Sequence, residues 1–210
     1  MAGTPENIRA AGILSAVING AIFLITLVLV VFFFRKDGKW NAARGKRIFR
    51  NFTCQSNVLC AAAALAMCVA QLAGDVPRWV WVLKYLGTVT VTVTLLTVLL
   101  LAAFGMDSMR KLLAESDFFM HLVTPVLAIA SFCGLERQPI SFGTAMLGLI
   151  PVALYGARYI YKILLAPEGK RWEDRYGLNR NWKWPVSCSV MMGGTFAVCV
   201  VMMLLLNTLD

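Results

Sequence analysis

The amino-acid sequence predicts an all-α, polytopic membrane protein built as a bundle of six transmembrane helices. Of its 210 residues, 59% are hydrophobic and only 15% are charged, which is too little polar surface to coat a soluble globule. Its apolar segments are long enough, or nearly so, to cross a hydrocarbon core of roughly 30 Å at about 1.5 Å per helical residue. They lie near residues 10–34, 52–73, 79–104, 118–133, 140–164 and 185–206, within one domain covering residues 1–210.

The first two segments are predicted to be membrane-spanning helices. A polar stretch with Glu6 and Arg9 precedes the first segment, whose apolar run is too long for the core of a cleavable signal peptide. We therefore expect it to remain in the protein. The second segment begins at Phe52, directly after a strongly basic stretch, and has the length of a complete span.

The third segment contains an alternating run of threonine and valine from Thr88 to Thr94. Alternation is typical of a strand, but an open strand in lipid would leave its backbone groups without hydrogen-bond partners. We therefore predict a helix whose threonine hydroxyls bond to carbonyl groups one turn earlier. Lys84, near the start of this segment, is expected to extend its ammonium group to the outer interface.

The fourth segment is the shortest, with 16 residues between Asp117 and Gly134. Pro125 follows His121 by four positions and has no N–H group to donate to the His121 carbonyl. We expect a kink or a freed carbonyl group beside the histidine.

The fifth segment has Tyr155, Arg158, Tyr159 and Lys162 along one stripe near its cytoplasmic end. A guanidinium group there could bind an anionic headgroup, a fatty-acid carboxylate or a developing oxyanion. The alternative is that the two basic side chains only extend to the inner interface. The sixth segment follows a Trp-Lys-Trp-Pro stretch at 182–185, in which proline suits the start of a helix.

The formal charge of +9 is concentrated in three loops. The first, third and fifth loops hold 14 basic residues, against Arg9, Arg78 and Arg137 on the other side. By the positive-inside rule these loops are cytoplasmic and both termini lie outside. Topology and contacts with lipid headgroups explain such loops, so no nucleic-acid partner is predicted.

Composition gives no sign of a metal or cofactor. All six cysteines lie in or at apolar segments without a Cys-x-x-Cys pair, which predicts neither a disulfide framework nor a zinc site. We expect them to be small packing residues. The oligomeric state is left open by the sequence.

Polar faces of the second and fourth segments are predicted to lie at a similar depth in the membrane. With the first and third loops inside, the second and fourth segments both enter from the cytoplasm, which places Thr53 and His121, the only histidine, at similar depth. At about 100° per residue each segment has one polar face. The second segment's face comprises Arg50, Thr53, Ser56, Asn57 and Cys60, and the fourth segment's comprises Asp117, His121, Thr124, Ala128 and Ser131.

These stripes predict an intramembrane nucleophile with its base. Ionisable residues in a bilayer are costly and are functional by default. Thr53 would be the nucleophile and His121 the general base. Asp117, one turn before His121, could orient the imidazole ring, while Asn57 or Arg158 could stabilise an oxyanion. Ser56 is a further polar residue of the same stripe.

Two alternatives to a catalytic pair of Thr53 and His121 remain open, a purely structural contact and a different nucleophile. Threonine often marks close helix packing, and a buried histidine can simply join two helices by a hydrogen bond of roughly 1 kcal/mol. Cys54 is a rival nucleophile, ranked second because it lies about 100° from Thr53 and off the polar stripe.

The two short motifs Phe52-Thr53-Cys54-Gln55-Ser56-Asn57-Val58-Leu59 and Asp117-Phe-Phe-Met-His121-Leu-Val-Thr-Pro125 resemble the bacterial relatives of the androgen-induced/ADTRP family. The resemblance implies a polytopic protein of a bacterial inner membrane. In the family's eukaryotic members a threonine and a histidine hydrolyse fatty acid esters of hydroxy fatty acids. Thr53 matches that nucleophile and His121, with its following proline, matches that histidine. Asp117, Asn57 and Arg158 are not family residues.

The sequence thus leads us to expect a threonine-type hydrolase of lipid esters that takes its substrate from the membrane. An acyltransferase would use the same first step with a different acceptor. The alternative from another class is a non-catalytic carrier or lipid-binding scaffold. The absence of an evident inverted repeat makes the carrier less favoured.

Overall fold

A computed structural model of the protein describes residues 5–103 and 118–208, which are mostly helical. We number the helices in chain order. They are α1 (Pro5–Phe33), α2 (Ala42–Ile48), α3 (Phe52–Ala73), α4 (Arg78–Ala103), α5 (Phe119–Gly134), α6 (Phe142–Leu165) and α7 (Trp184–Thr208).

The predicted helical class is confirmed. In the described residues, five helices are long and apolar enough to span a membrane: α1, α3, α4, α6 and α7. The protein is therefore an integral membrane protein. Helix α5 is shorter, since its 16 residues extend only about 24 Å at 1.5 Å per residue. A sixth span remains a prediction.

Helices α5 and α6 are less regular than the sequence predicts. Helix α5 begins with a π-helical turn, Phe119–Val123, and continues as α-helix through Thr124–Gly134. Helix α6 consists of a short helix Phe142–Met146, an α-helix Leu149–Ile160 and a second π-turn, Tyr161–Leu165.

The basic first loop contains structure that the sequence pattern did not predict. Strands β1 (Arg35–Lys36) and β2 (Lys39–Trp40) form an antiparallel hairpin. Its two turn residues, Asp37 and Gly38, both have positive φ, as a two-residue hairpin turn requires. The guanidinium group of Arg44 in α2 donates to backbone carbonyls at the start of this loop. The chain then enters α3 directly.

The described residues form two compact units, divided at Ile140. In the first unit, α3 packs against α1 and α4, and α5 packs against α1 and α4. In the second unit, α6 packs against α7, and the Asn207 side chain bonds both backbone groups of Ile140 at 2.8 and 3.0 Å.

Helices α3 and α4 approach closely at Gly87. A Cβ atom at this position would lie 2.8 Å from the Cα atom of Cys60, so the contact requires glycine. Along the same helix the predicted threonine bonds are confirmed: Thr88, Thr92 and Thr94 donate to carbonyls four residues earlier at 2.7–3.1 Å. Internal bonding of these hydroxyls makes a threonine-rich helix compatible with an apolar interior.

Candidate functional site

Thr53 and His121 are in contact. The Thr53 hydroxyl oxygen lies 3.2 Å from Nε2 of His121, within hydrogen-bond distance. His121 is 8% exposed, and Thr53 is half-buried, so the pair lies at the edge of the first unit's interior. Nε2 can accept the hydroxyl proton only when the ring's own proton is on Nδ1. At this distance a proton can pass between the Thr53 hydroxyl and the His121 ring.

Helix α3 places the Thr53 side chain through its first turn. Thr53 is the second residue of the helix, and Asn51 at the N-cap makes no side-chain cap bond. The predicted inward stripe is confirmed further along, where Ser56, Asn57 and Cys60 are buried. Because amide N–H groups in a first turn have no intrahelical acceptor, the positive end of the helix lies next to the Thr53 hydroxyl.

Helix α5 places His121 in the middle of its π-turn. The N–H group of Thr124 donates to the Phe119 carbonyl, five residues earlier. In this register the N–H donor for the Met120 carbonyl would come from position 125, which is proline. The sequence predicted that Pro125 would leave the His121 carbonyl without its α-helical donor. In the π-register Pro125 is also the donor position of Met120, so the Met120 carbonyl has no N–H partner there either.

Asn57 supplies the missing donor. Its Nδ2 atom donates to the Met120 carbonyl at 3.1 Å and to the Thr53 carbonyl at 2.8 Å. Asn57 is fully buried, and within the described residues its Oδ1 atom has no hydrogen-bond partner. Both bonds go to backbone atoms, so the amide is not directed at a substrate as the oxyanion role predicted from the sequence would require.

Ser56 lies one turn deeper and joins α3 to α4. Its hydroxyl is 3.0 Å from the Thr53 carbonyl and 3.1 Å from the Thr94 hydroxyl. A serine hydroxyl has one proton, so only one of these two bonds can use Ser56 as the donor at a time. Ser56 therefore supports the first turns of α3 from the side of α4.

The other three residues named from the sequence have separate outcomes. Asp117 lies outside the described residues, so its predicted role in orienting the imidazole stays a prediction. Arg158 is an exposed residue of the second unit, where its guanidinium carbon lies 5.4 Å from the centre of the Trp172 ring. Cys54 is 2% exposed and packs in an apolar cluster with Leu29 and Phe33.

A second buried polar cluster contradicts the expectation for Lys84. Instead of reaching the interface, Lys84 is fully buried and its Nζ atom donates to Asn19 Oδ1 at 2.6 Å. The Nδ2 atom of the same asparagine donates to Glu136 Oε1 at 2.5 Å, and the Ser15 hydroxyl donates to that oxygen at 2.8 Å. Asn19 thus turns its oxygen toward the ammonium group and its nitrogen toward the carboxylate.

The sequence contains an indication of this cluster, although helical periodicity alone does not show which residues pair. Asn19 lies well inside the first apolar segment and Lys84 near the start of the third, and polar residues within apolar segments usually pair with one another. Glu136 follows the end of α5, and its carbonyl accepts from Trp81 Nε1 at 2.7 Å, which holds the chain against α4. Its Oε2 atom has no hydrogen-bond partner among the described residues.

The described residues contain no group of three or more histidine, cysteine or acidic side chains able to hold a metal ion. Comparison of the chain with protein-family models, with curated proteins and with solved structures gave no match. The resemblance to the androgen-induced/ADTRP family therefore stays a hypothesis based on two short motifs.

Proposed function

We propose that this protein is an intramembrane hydrolase of lipid esters with Thr53 as its nucleophile and His121 as its general base. The observation that supports this most directly is the 3.2 Å separation between the Thr53 hydroxyl and His121 Nε2. A threonine hydroxyl is a weak nucleophile until a base takes its proton, and in this proposal the one histidine of the chain is that base.

In the first half of the proposed reaction the Thr53 oxygen attacks the ester carbonyl carbon while its proton moves to Nε2 of His121. The tetrahedral intermediate then expels the alcohol oxygen, which takes that proton and leaves as the free alcohol. In the second half a water molecule, deprotonated by His121, attacks the acyl-threonine carbonyl. The fatty acid departs, and the proton returns to Thr53.

The proposed oxyanion stabilisation comes from the first turn of α3. The backbone N–H groups of Thr53 and Cys54 lie in this turn, next to the reacting hydroxyl. Such amides, aligned with the helix dipole, stabilise developing negative charge. In this role they take the place of Asn57, whose two N–H donors already bond backbone carbonyls.

We further propose a fatty acid ester of a hydroxy fatty acid as the substrate class and the bacterial inner membrane as the location. The two motifs support both points only by resemblance. Helix α5 would be the sixth span, the basic loops would face the cytoplasm and both termini would lie outside. Thr53 directly follows the most basic loop, so the site would open at the cytoplasmic leaflet, where water and acyl chains meet.

Two alternatives use the same contact differently. In an acyltransferase, another alcohol or an amine would replace water in the second half of the reaction. In a lipid-binding scaffold, the bond between Thr53 and His121 would only join α3 to α5. Product analysis separates the first alternative from hydrolysis, and activity separates the second.

The experiment that tests the proposal is release of free fatty acid from a panel of lipid esters by the purified protein in detergent. We expect turnover by the wild type and its loss in Thr53→Ala and His121→Ala, with unchanged thermal stability. Transfer of the acyl group to an added alcohol, with no free acid, would instead support the acyltransferase. No turnover on any ester, together with destabilised variants, would contradict catalysis and support the scaffold.

A further inference from the structure

We infer that Asn57 is a positioning residue for the pair formed by Thr53 and His121, because its amide stabilises the π-turn that directs the imidazole toward the hydroxyl. This inference rests on the proposed function for its catalytic meaning. Its structural basis is one fully buried side chain that bonds backbone carbonyls on both sides of the pair: Thr53 on α3 at 2.8 Å and Met120 on α5 at 3.1 Å.

The direction of the Asn57 amide follows from its neighbours. Both hydrogen-bond partners are carbonyl oxygens, which only accept, so the NH₂ end must face them. The other end, Oδ1, has no partner in the described part of the chain. The position therefore requires two donors, which a side chain of similar shape with only acceptors does not supply.

The Met120 carbonyl needs this external donor because of two neighbouring features. In the π-turn Phe119–Val123 the Phe119 carbonyl accepts from the N–H group of Thr124, five residues later, and in the same register the Met120 carbonyl faces Pro125, which has no N–H group. Without Asn57 the carbonyl would be buried and unsatisfied, which is unfavourable. The π-turn and the asparagine thus depend on each other.

The π-turn also sets the direction of the His121 side chain. If the turn returned to α-helical register, that side chain would rotate by about one residue, about 100°, relative to the rest of α5. The ring would then no longer point to Thr53. Because Asn57 also bonds the Thr53 carbonyl, one side chain relates the backbones of both partners. Asn57 acts through these backbones and touches no reacting atom.

The sequence offers an isotopic label for this arrangement. Met120-His121 is the one Met-His pair in the chain, which has 10 methionines and one histidine. Protein labelled with carbonyl-¹³C methionine and ¹⁵N histidine therefore gives a single amide correlation, which reports hydrogen bonding of the Met120 carbonyl. The ring nitrogens of the same residue report the surroundings of His121. Neither measurement depends on turnover.

In Asn57→Ala we expect the Met120 carbonyl signal to move upfield, as it does when a carbonyl loses a hydrogen bond, and the His121 ring signals to move with it. We expect kcat to fall on the order of 10- to 100-fold with little change in KM, as for a misplaced catalytic group. Gln55→Ala is the matched control, because Gln55 Nε2 also donates to a carbonyl, that of Phe49 at 2.8 Å. It should leave all of these signals unchanged.

Pro125→Ala gives the second test by restoring an N–H group where Met120 lacks one. In Asn57→Ala/Pro125→Ala we expect the Met120 signal to return toward its original position and part of kcat to return with it. In the otherwise unchanged protein, Pro125→Ala should also shift the Met120 signal, because a competing donor is added. This single variant keeps the test decisive if Asn57→Ala does not fold.

An unmoved Met120 signal in folded Asn57→Ala or in Pro125→Ala would overturn the inference, as would an equal shift in Gln55→Ala. These outcomes are distinct from failure of the proposed function. A wild type that hydrolyses no ester contradicts the catalytic proposal while the signals still test the π-turn. An active Asn57→Ala with unmoved signals contradicts only the positioning role.

Discussion

The Thr53 hydroxyl and His121 Nε2 lie 3.2 Å apart although the two residues are 68 positions apart in the chain. The first turn of α3 and the π-turn of α5 bring them together at the same end of the first unit. If the imidazole takes the proton of this hydroxyl, as proposed, the Thr53 oxygen should react with electrophilic chemical probes.

Thr53→Ala should abolish covalent labelling by a fluorophosphonate probe, because the atom that attacks phosphorus is removed. Thr53→Ser should retain labelling, since serine keeps the hydroxyl on the same bond. Labelling is read by gel fluorescence on purified protein in detergent.

Thr92→Ala is the control for loss of a threonine hydroxyl. That hydroxyl donates its proton to the Thr88 carbonyl of its own helix at 2.7 Å. Equal labelling of Thr53→Ala and wild type would show that the probe reacts elsewhere and that the nucleophile is assigned incorrectly.

Lys84→Met should destabilise the protein strongly, by roughly 3–5 kcal/mol, because it leaves the Glu136 carboxylate buried without the cation that Asn19 links to it. Glu136→Gln should also be destabilising. The double variant Lys84→Met/Glu136→Gln should lose less than the sum of the two single variants, since neither charge then remains alone.

Thermal unfolding in detergent measures this difference. Lys170→Met, at an exposed lysine of the second unit, is the control and should change stability by no more than about 0.5 kcal/mol. Additive effects of the two single changes would mean that Lys84 and Glu136 do not stabilise each other through Asn19.

Gly87→Ala should lower the free energy of unfolding by about 1–3 kcal/mol, because the added Cβ atom would lie 2.8 Å from the Cys60 backbone and force α3 and α4 apart. Gly20→Ala is the matched helix substitution in the same unit. Its Cβ atom would meet only Cys68 Sγ at 3.9 Å, so helix propensity should make it neutral or slightly stabilising. Equal stability of the two variants would contradict close packing at Gly87.

The C-terminus should lie outside the cytoplasm, as six spans and cytoplasmic basic loops require. Two reporters fused to it measure this. An enzyme that folds only in an oxidising compartment and a fluorescent protein that matures only in the cytoplasm give opposite readouts at this position. Cytoplasmic fluorescence would contradict the charge-based orientation, or the sixth span.

The sequence predicted most of the secondary structure and one face of each polar helix. Helix α3 begins and ends at the predicted residues, Phe52 and Ala73, and the buried positions Ser56 and Asn57 follow from helical periodicity. These features depend on local hydropathy and on a fixed rotation per residue, which any helix in an apolar medium obeys. The proximity of Thr53 and His121 was also predicted, from their equal depth.

The side-chain partners could not be predicted in the same way. The sequence by itself determined the helical class, the apolar length of the spans and the inward polar stripes, through local and periodic physical chemistry. Only the tertiary structure decided that Lys84 is buried beside Asn19. It also decided that the Met120 carbonyl, which has no N–H donor at Pro125, accepts a hydrogen bond from Asn57. Each of these depends on the register of two helices distant in sequence, and a shift of one residue, about 100°, would change every partner.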